Sequence, residues 1–309
     1  MKRLLKIAAS ILAILVMFSL LPVLSLYLQR DPRPYTNADA AAKLAANKGE
    51  YFAFTVLGDN HAGLIFNDSA ALKMIRRINM EDRFGKIPVD MAIISGDATY
   101  RGSAWDYRIF NRVRSLIKRP VITAMGNHDD DKDDGSLFKK YAGEKEFAFA
   151  DRNSYFIFLD DSSNDLTEAQ FSWFEEELKK SLSYTHAFVI MHKAPVSLYQ
   201  QSWFRPELSP WARRFMRLCE QYRVSAVFTG HEHLFKSQTL GRVHYIMSGG
   251  GGMLTQVPAR EGGFLHYIVV RVNGTYVDYE VRKVFPPLWE YLAYYMWKDL
   301  FYFLKDVIL

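Results

Sequence analysis

Five times between Tyr51 and His233 an apolar run stops on residues that can hold a metal ion or move a proton. "TVLGDNH" ends in Asp59 and His61, "AIISGD" in Asp97, "TAMGNHD" in Asn127 and His128, "FVIMH" in His192, and "VFTGHEH" in His231 and His233. Each has an ordinary explanation when taken alone. Gly-Asp is a common turn, and a lone histidine after a buried strand is usually scaffolding. Together they constrain the chain to a fold that gathers these strand ends at one sheet edge, where α/β proteins place their ligands.

The intervening pattern supports that architecture. The runs alternate with helical periodicities in "SAALKMIRRINMEDRF", "SAWDYRIFNRVRSLIK", "TEAQFSWFEEELKKS" and "PWARRFMRLCEQY", the third opened by a Thr167/Gln170 capping box. After His233 the punctuation changes to short strands, "VHYIMSGG", "FLHYIVVRV" and "TYVDYEVRK". Mixed βα units followed by a run of strands predict two packed sheets with helices outside. The chain has no internal repeat, and with 49% hydrophobic residues in 309 it can sustain one large core. Its charge of +5 arises from 39 basic and 34 acidic residues spread along the chain, without an arginine-rich tail or aromatic RNA-binding signature, so a nucleic-acid partner is not expected. The single cysteine, Cys219, excludes an intrachain disulfide or a cysteine-rich zinc module and reads as a small buried residue on a helix.

Residues 1–29 read as a transmembrane signal anchor. Ile7 to Leu28 carries no charge and as a helix would extend about 33 Å, against roughly 30 Å of bilayer hydrocarbon. No small-x-small cleavage pattern follows it. Lys2, Arg3 and Lys6 favour an internal N-terminus and an extracytoplasmic catalytic domain, with Arg30 and Arg33 acting against that bias. The polar, alanine-rich residues 30–50 suit a linker with a short helix, the globular domain spans 51–284, and 285–309 forms an amphipathic helix after Pro286 and Pro287. On that helix Leu292, Met296, Trp297, Leu300, Phe303, Leu304 and Val307 share a face, opposite Lys298, Asp299, Lys305 and Asp306 with Tyr291, Tyr295 and Tyr302. Such a face can pack on its own domain, pair with a second copy in a homo-oligomer, or lie in a membrane interface.

The ordered blocks GDNH, GD, GNHD, H and GHEH resemble the calcineurin-like metallophosphoesterase superfamily, of a bacterial membrane-anchored type, over about Tyr51 to Lys283. "LDD" before "EAQFSWFEEEL" and the "SGGGG" after GHEH add to the likeness. The resemblance implies an α/β sandwich of two mixed β-sheets flanked by helices, and a centre of two divalent metal ions. Asp59, His61 and His233 would hold the first metal, Asn127, His192 and His231 the second, and Asp97 would bridge them. Mixed carboxylate, amide and imidazole ligation suits manganese, iron or zinc, and the lack of thiolates disfavours a structural zinc site. Such a centre hydrolyses a phosphomonoester, phosphodiester or pyrophosphate bond, here of a lipid-linked or envelope substrate. By the same resemblance His128 would not ligate metal but would act as general acid on the leaving oxygen. In many relatives an acid following the GD block orients this histidine; here Tyr100 occupies the place, so a tyrosine hydroxyl or a group from elsewhere must serve. Arg101 is a candidate phosphate contact, or an ordinary surface arginine.

The rest of the polar inventory reads as structural. The aspartate-rich "AMGNHDDDKDDG" does not fit an EF-hand in either register, because Lys132 or Asp134 falls where a ligand or glycine is needed. Asp129 belongs to the GNHD block, whereas Asp130, Asp131, Asp133 and Asp134 read as a solvated turn. His186, His244 and His266 flank or occupy strands and stay outside the site. "SLYQQSWFRPELSP" could form an aromatic rim over the metals or pack on the core. A non-catalytic metal-binding scaffold of the same fold is the alternative function. A nuclease would require a basic track that is absent from the sequence.

Overall fold

The structure is a computed structural model that describes residues 2–81, 88–130, 135–163, 165–196, 198 and 209–308. Asp131, Asp133 and Asp134, and nearly all of the expected rim at 197–210, lie outside the described residues.

Two sheets face each other. The first contains β1 (Tyr51–Leu57), β2 (Val89–Ser95), β3 (Val121–Ala124), β10 (His266–Asn273) and β11 (Tyr276–Lys283), in the order β11-β10-β1-β2-β3. The second contains β4 (Phe147–Asp151), β5 (Ser154–Phe158), β6 (His186–Ile190), β7 (Ala226–Thr229), β8 (Phe235–Leu240) and β9 (Val243–Ser248), in the order β4-β5-β6-β7-β9-β8. Strand periodicity explains the layering, because alternate residues face opposite sides. Phe52, Phe54 and Val56 of β1, with Met91 and Ile93 of β2, point into the space between the sheets and meet Phe156, Phe188 and Phe228. The Phe54 ring makes edge contacts with those three rings at 5.3, 5.4 and 5.9 Å between centroids. Leu57 and Ile94 instead face α3 (Ile65–Ile78) and α4 (Ala104–Ser115), and Ile157 and Val189 face α6 (Glu168–Ser181) and α7 (Pro210–Gln221).

Strands β1, β2 and β3 run parallel, as do β5, β6, β7 and β9, so their carboxyl ends emerge together. Thr167 caps α6 reciprocally with Gln170, as its sequence predicts, and Ser103 and Asp106 do the same for α4. Two strands, β4 and β8, are not evident in the sequence pattern. Both are sheet edges, and the partly exposed FKSQTL of β8 lacks the apolar run that marks an inner strand.

Helix α1 (Lys2–Leu28) contains Ala9–Leu28, which is long and apolar enough to cross a membrane. Its last turns are built into the domain. Val23 and Leu26 are buried, the Tyr27 hydroxyl donates to Asp68 at 2.6 Å, and Arg112 donates to the carbonyls of Leu26 and Tyr27. The expected linker is likewise docked. Helix α2 (Asn37–Leu44) follows a Thr36 cap, and the Asn37 amide exchanges two 2.9 Å hydrogen bonds with the Thr123 backbone, satisfying the free edge of β3.

The C-terminal helix runs through Leu288–Glu290, a π turn at Tyr291–Tyr295, and Met296–Ile308. It is turned opposite to the ordinary amphipathic arrangement. Tyr295 and Lys298 face the domain, while Trp297, Leu300, Phe301, Phe303 and Leu304 are exposed, Phe301 by 64%. The reason is polar: Lys298 Nζ donates to the Thr255 hydroxyl and to the carbonyls of Val257 and Gly263, and Tyr294 and Tyr302 donate to those of Thr255 and Gln256. Packing this helix on its own domain therefore does not cover its apolar stripe.

Candidate metal centre

Each expected ligand sits two to four residues beyond a parallel strand. Asp59 and His61 follow β1, Asp97 follows β2, Asn127 and His128 follow β3, His192 follows β6, and His231 and His233 follow β7. Donor atoms of Asp59, His61 and His233 lie within 4.8 Å of one another, and so do those of Asp97, His192 and His231. Asp97 joins the two groups, its Oδ2 lying 3.4 Å from His61 Nε2 and 3.2 Å from His192 Nε2. Its other oxygen accepts the His128 backbone N–H at 2.8 Å, which sets the carboxylate's rotation.

The backbone is bent hard to achieve this. Asp59, His61, Asp97 and His231 all have positive φ, at 62°, 46°, 50° and 70°, a conformation that non-glycine residues adopt only when held by surrounding contacts. Close approach explains the glycine before Asp97. A Cβ on Gly96 would lie 2.4 Å from His192 Nδ1, so the β2 turn can pass over that ring only as glycine.

Hydrogen bonds decide which imidazole nitrogen faces the centre. A carbonyl oxygen only accepts, so His192 Nδ1 donates to Ser95 at 3.0 Å and His233 Nδ1 donates to Leu254 at 3.2 Å. In its neutral form each ring then keeps its lone pair on Nε2. Among the described residues, neither ring nitrogen of buried His61 has a hydrogen-bond partner, and the buried Asn127 Oδ1 has none either. Buried polar atoms left unpaired in this way cost stability unless something binds them, so the residues fit a site for divalent cations. Burial pushes His61 down to about 3, His233 to about 4 and His231 to about 2, keeping these rings in the neutral, coordinating form. Burial also works against a charged His192, but the Asp97 carboxylate beside it carries the ring up to about 10. Burial opposes an ionised Asp97 as well; His192 nevertheless holds it below the usual carboxylate range, while burial raises Asp59 well above it.

His128 is part-buried, its ring centroid 4.6 Å from that of His61. Its Nδ1 donates to the backbone carbonyl of Tyr100 at 2.7 Å. The partner sought in the sequence at position 100 is thus the main chain, neither a carboxylate nor the tyrosine hydroxyl. Donor atoms of His61, Asp97 and His128 also lie within 4.8 Å of one another. Arg101 is exposed, with its guanidinium 4.9 Å over the Tyr100 ring. His186 and His266 make hydrogen bonds to backbone carbonyls, and His244 pairs with Thr239.

Two supporting acids emerge from the packing. Buried Asp129 accepts from the backbone of Gly126, Ala98 and Thr99 and from the Thr99 hydroxyl, tying the β2 and β3 loops together. Asp161, which follows β5, accepts the backbone N–H groups of His192 and Lys193 at 2.9 and 2.7 Å. Burial pushes both acids up to about 6. The role of Asp161 was legible in principle, because "SYFIFLDD" is a sixth apolar run ending in an acid.

A family model described as calcineurin-like phosphoesterase matches residues 52–235, more than half of the chain. No curated protein matches it. Among solved structures, purple acid phosphatase PPD1 from yellow lupin (Lupinus luteus) seeds is 14% identical with a TM-score of 0.58, covering 81% of this chain and 53% of that one. GAP50, the anchor in the inner membrane complex of Plasmodium, is 15% identical with a TM-score of 0.59, covering 76% of this chain and 85% of that one. These identities establish likeness of fold, and this chain spans about half the length of the lupin phosphatase.

Proposed function

The chain belongs to the calcineurin-like phosphoesterase family, and on that premise we propose that it is a membrane-anchored, binuclear metal-dependent phosphoesterase. The observation that carries this reading is Asp97 Oδ2 standing between His61 Nε2 and His192 Nε2, with Asp59 and His233 grouped with the first and His231 with the second. Asp59, His61 and His233 would hold one ion, Asn127, His192 and His231 the other, and Asp97 both. Manganese, iron and zinc all suit this donor set. Bound divalent ions supply positive charge that acidifies water and neutralises phosphoryl oxygens.

The chain's own contribution is positioning and proton transfer. With Nδ1 committed to the Tyr100 carbonyl, His128 presents Nε2 toward the cluster, where it would hold a proton for the leaving oxygen. Asp129 and Asp161 keep the loops of Asp97 and His192 in register. Arg101 would contact phosphate only after leaving its stack on Tyr100. A lipid-linked phosphoester is supported as substrate by a short connection: Tyr27 at the end of α1 donates to Asp68, which accepts the Gly63 N–H two residues from His61. On the anchor's charge pattern the domain would be extracytoplasmic.

Reloading metal-stripped protein with manganese should restore cleavage of bis-p-nitrophenyl phosphate. Asp97→Asn should abolish turnover and lower metal content by elemental analysis at both positions. Full metal content with no turnover on any phosphoester would instead select the scaffold reading.

A further inference from the structure

Two features near the end of α1 are not used by the metal centre. One is the C-terminal helix, whose apolar stripe faces outward. The other is a cleft of about 520 Å³ between α1, α3 and the Pro287–Leu288 corner, lined by Pro22, Leu26, Leu72, Lys73, Arg76 and Leu288. We propose that together they form one docking surface for the anionic phospholipids of the bilayer that α1 spans. The inference rests on the anchored reading of α1.

Helix length fixes the depth. A hydrocarbon layer of roughly 30 Å takes about 20 helical residues, which counted from Ile7 end near Leu26. Val23 and Leu26 are buried against the domain, so the elements that cover them stand at the boundary of the bilayer rather than above it. Those elements are α3, α4 and the start of the C-terminal helix. Trp289 also packs on Phe66 of α3, at 4.9 Å between ring centroids. The outward stripe of Trp297, Leu300, Phe301, Phe303 and Leu304 therefore continues from a point already at membrane level. Trp and other large apolar side chains favour that depth.

Charge identifies the lipid. Lys73, Arg76 and Arg77 are exposed along α3, and Lys73 Nζ donates to the carbonyls of Phe285 and Pro286, closing the corner of the cleft. The cleft thus sets cationic groups beside apolar ones, matching a headgroup phosphate above an acyl chain. Its basic residues belong to no metal ligand set, so they should not be needed for turnover of a soluble ester.

The test uses the full chain in phosphatidylcholine vesicles. Cys219 is fully buried, so an environment-sensitive fluorophore can be placed separately on Phe285→Cys and Phe301→Cys. Brominated phosphatidylglycerol should quench the probe at 285 at much lower mole fraction than brominated phosphatidylcholine does. Lys73→Gln with Arg76→Gln should reduce that preference roughly thirtyfold, from about fivefold per basic group at an anionic surface, and leave soluble-ester turnover unchanged. The probe at 301 should show apolar emission and be quenched by both lipids. Equal quenching of the 285 probe by both lipids in the parent would overturn the proposal, as would emission at 301 that turns apolar only as protein concentration rises, the sign of a second copy. Alkaline carbonate extraction separates the premises. Release of the chain would sink the anchored reading and this surface with it, whereas a retained chain with unselective quenching removes the lipid surface alone.

Discussion

Gly96→Ala is the sharpest probe of how the centre is assembled. Gly96 has φ +88°, and an added methyl would lie 2.4, 2.6 and 2.7 Å from Nδ1, Cγ and Cβ of His192, against ordinary contacts of 3.4–4 Å. The ring would have to retreat by about 1 Å, since neither strand end can move freely within the packed sheets. Left-handed backbone costs a residue with a Cβ about 1–2 kcal/mol, and loss of the bond from His192 to the Ser95 carbonyl adds about 1–3 kcal/mol. The sum, roughly 2–5 kcal/mol, is a large share of the about 5–15 kcal/mol by which domains are stable. Metal ligation tolerates displacement of only about 0.2 Å, so the ion held by His192 should be lost even where the fold survives. Gly49→Ala provides the control, having φ +91° with nothing within 4 Å of the added methyl, so it carries the backbone strain without the clash. Elemental analysis and urea unfolding should show Gly96→Ala metal-poor and destabilised well beyond Gly49→Ala. Equal metal content and equal unfolding midpoints in the two variants would refute the reasoning that close approach seats His192.

Three further outcomes follow from other contacts. His128→Ala should retain both metals yet slow turnover by roughly a hundredfold or more, as for a lost general acid; depletion of one metal in the same elemental assay would make it a ligand instead. Asn37→Ala removes two buried hydrogen bonds to the edge of β3 and should cost roughly 2–4 kcal/mol in urea unfolding, whereas a free tether would tolerate it. Glu290 is 2% exposed, both its oxygens lack hydrogen-bond partners among the described residues, and burial pushes it up to about 8 from 4.5. Its folded value is raised, so its contribution to docking of the C-terminal helix is complete below the unfolded value and is lost as pH rises toward 8. Lys298, pushed down to about 8 by burial, acts with the opposite sign only above that pH. Limited proteolysis should therefore release residues 285–309 increasingly between about pH 5 and 8, and Glu290→Gln should flatten the dependence.

Much of the fold and most of the candidate site were legible in the sequence. The two-sheet sandwich follows from apolar runs that alternate with helical periods, and Asp59, His61, Asp97, Asn127, His192, His231 and His233 stand out as candidates because five successive apolar runs end on such residues, though none would by itself. The edge strand β8 escaped because an edge buries too little to leave an apolar run. The family match over residues 52–235 spans the same blocks.

What the sequence determined by itself, then, is which residues stand at which strand ends. Periodicity and turn chemistry are local properties, carried by neighbouring residues. Tertiary structure alone decided the rest, because it depends on atoms brought together across many residues of chain. A backbone carbonyl at Tyr100, invisible in any side-chain pattern, orients His128. Asn37 ties the segment 30–50 to β3. Lys298, which on a helical wheel belongs to the solvent side, finds three oxygen acceptors in the 255–263 loop and turns the apolar face of its helix outward. A helical wheel records which residues share a face. Which face is buried depends on whether its polar groups find partners, and those partners were elsewhere in the chain.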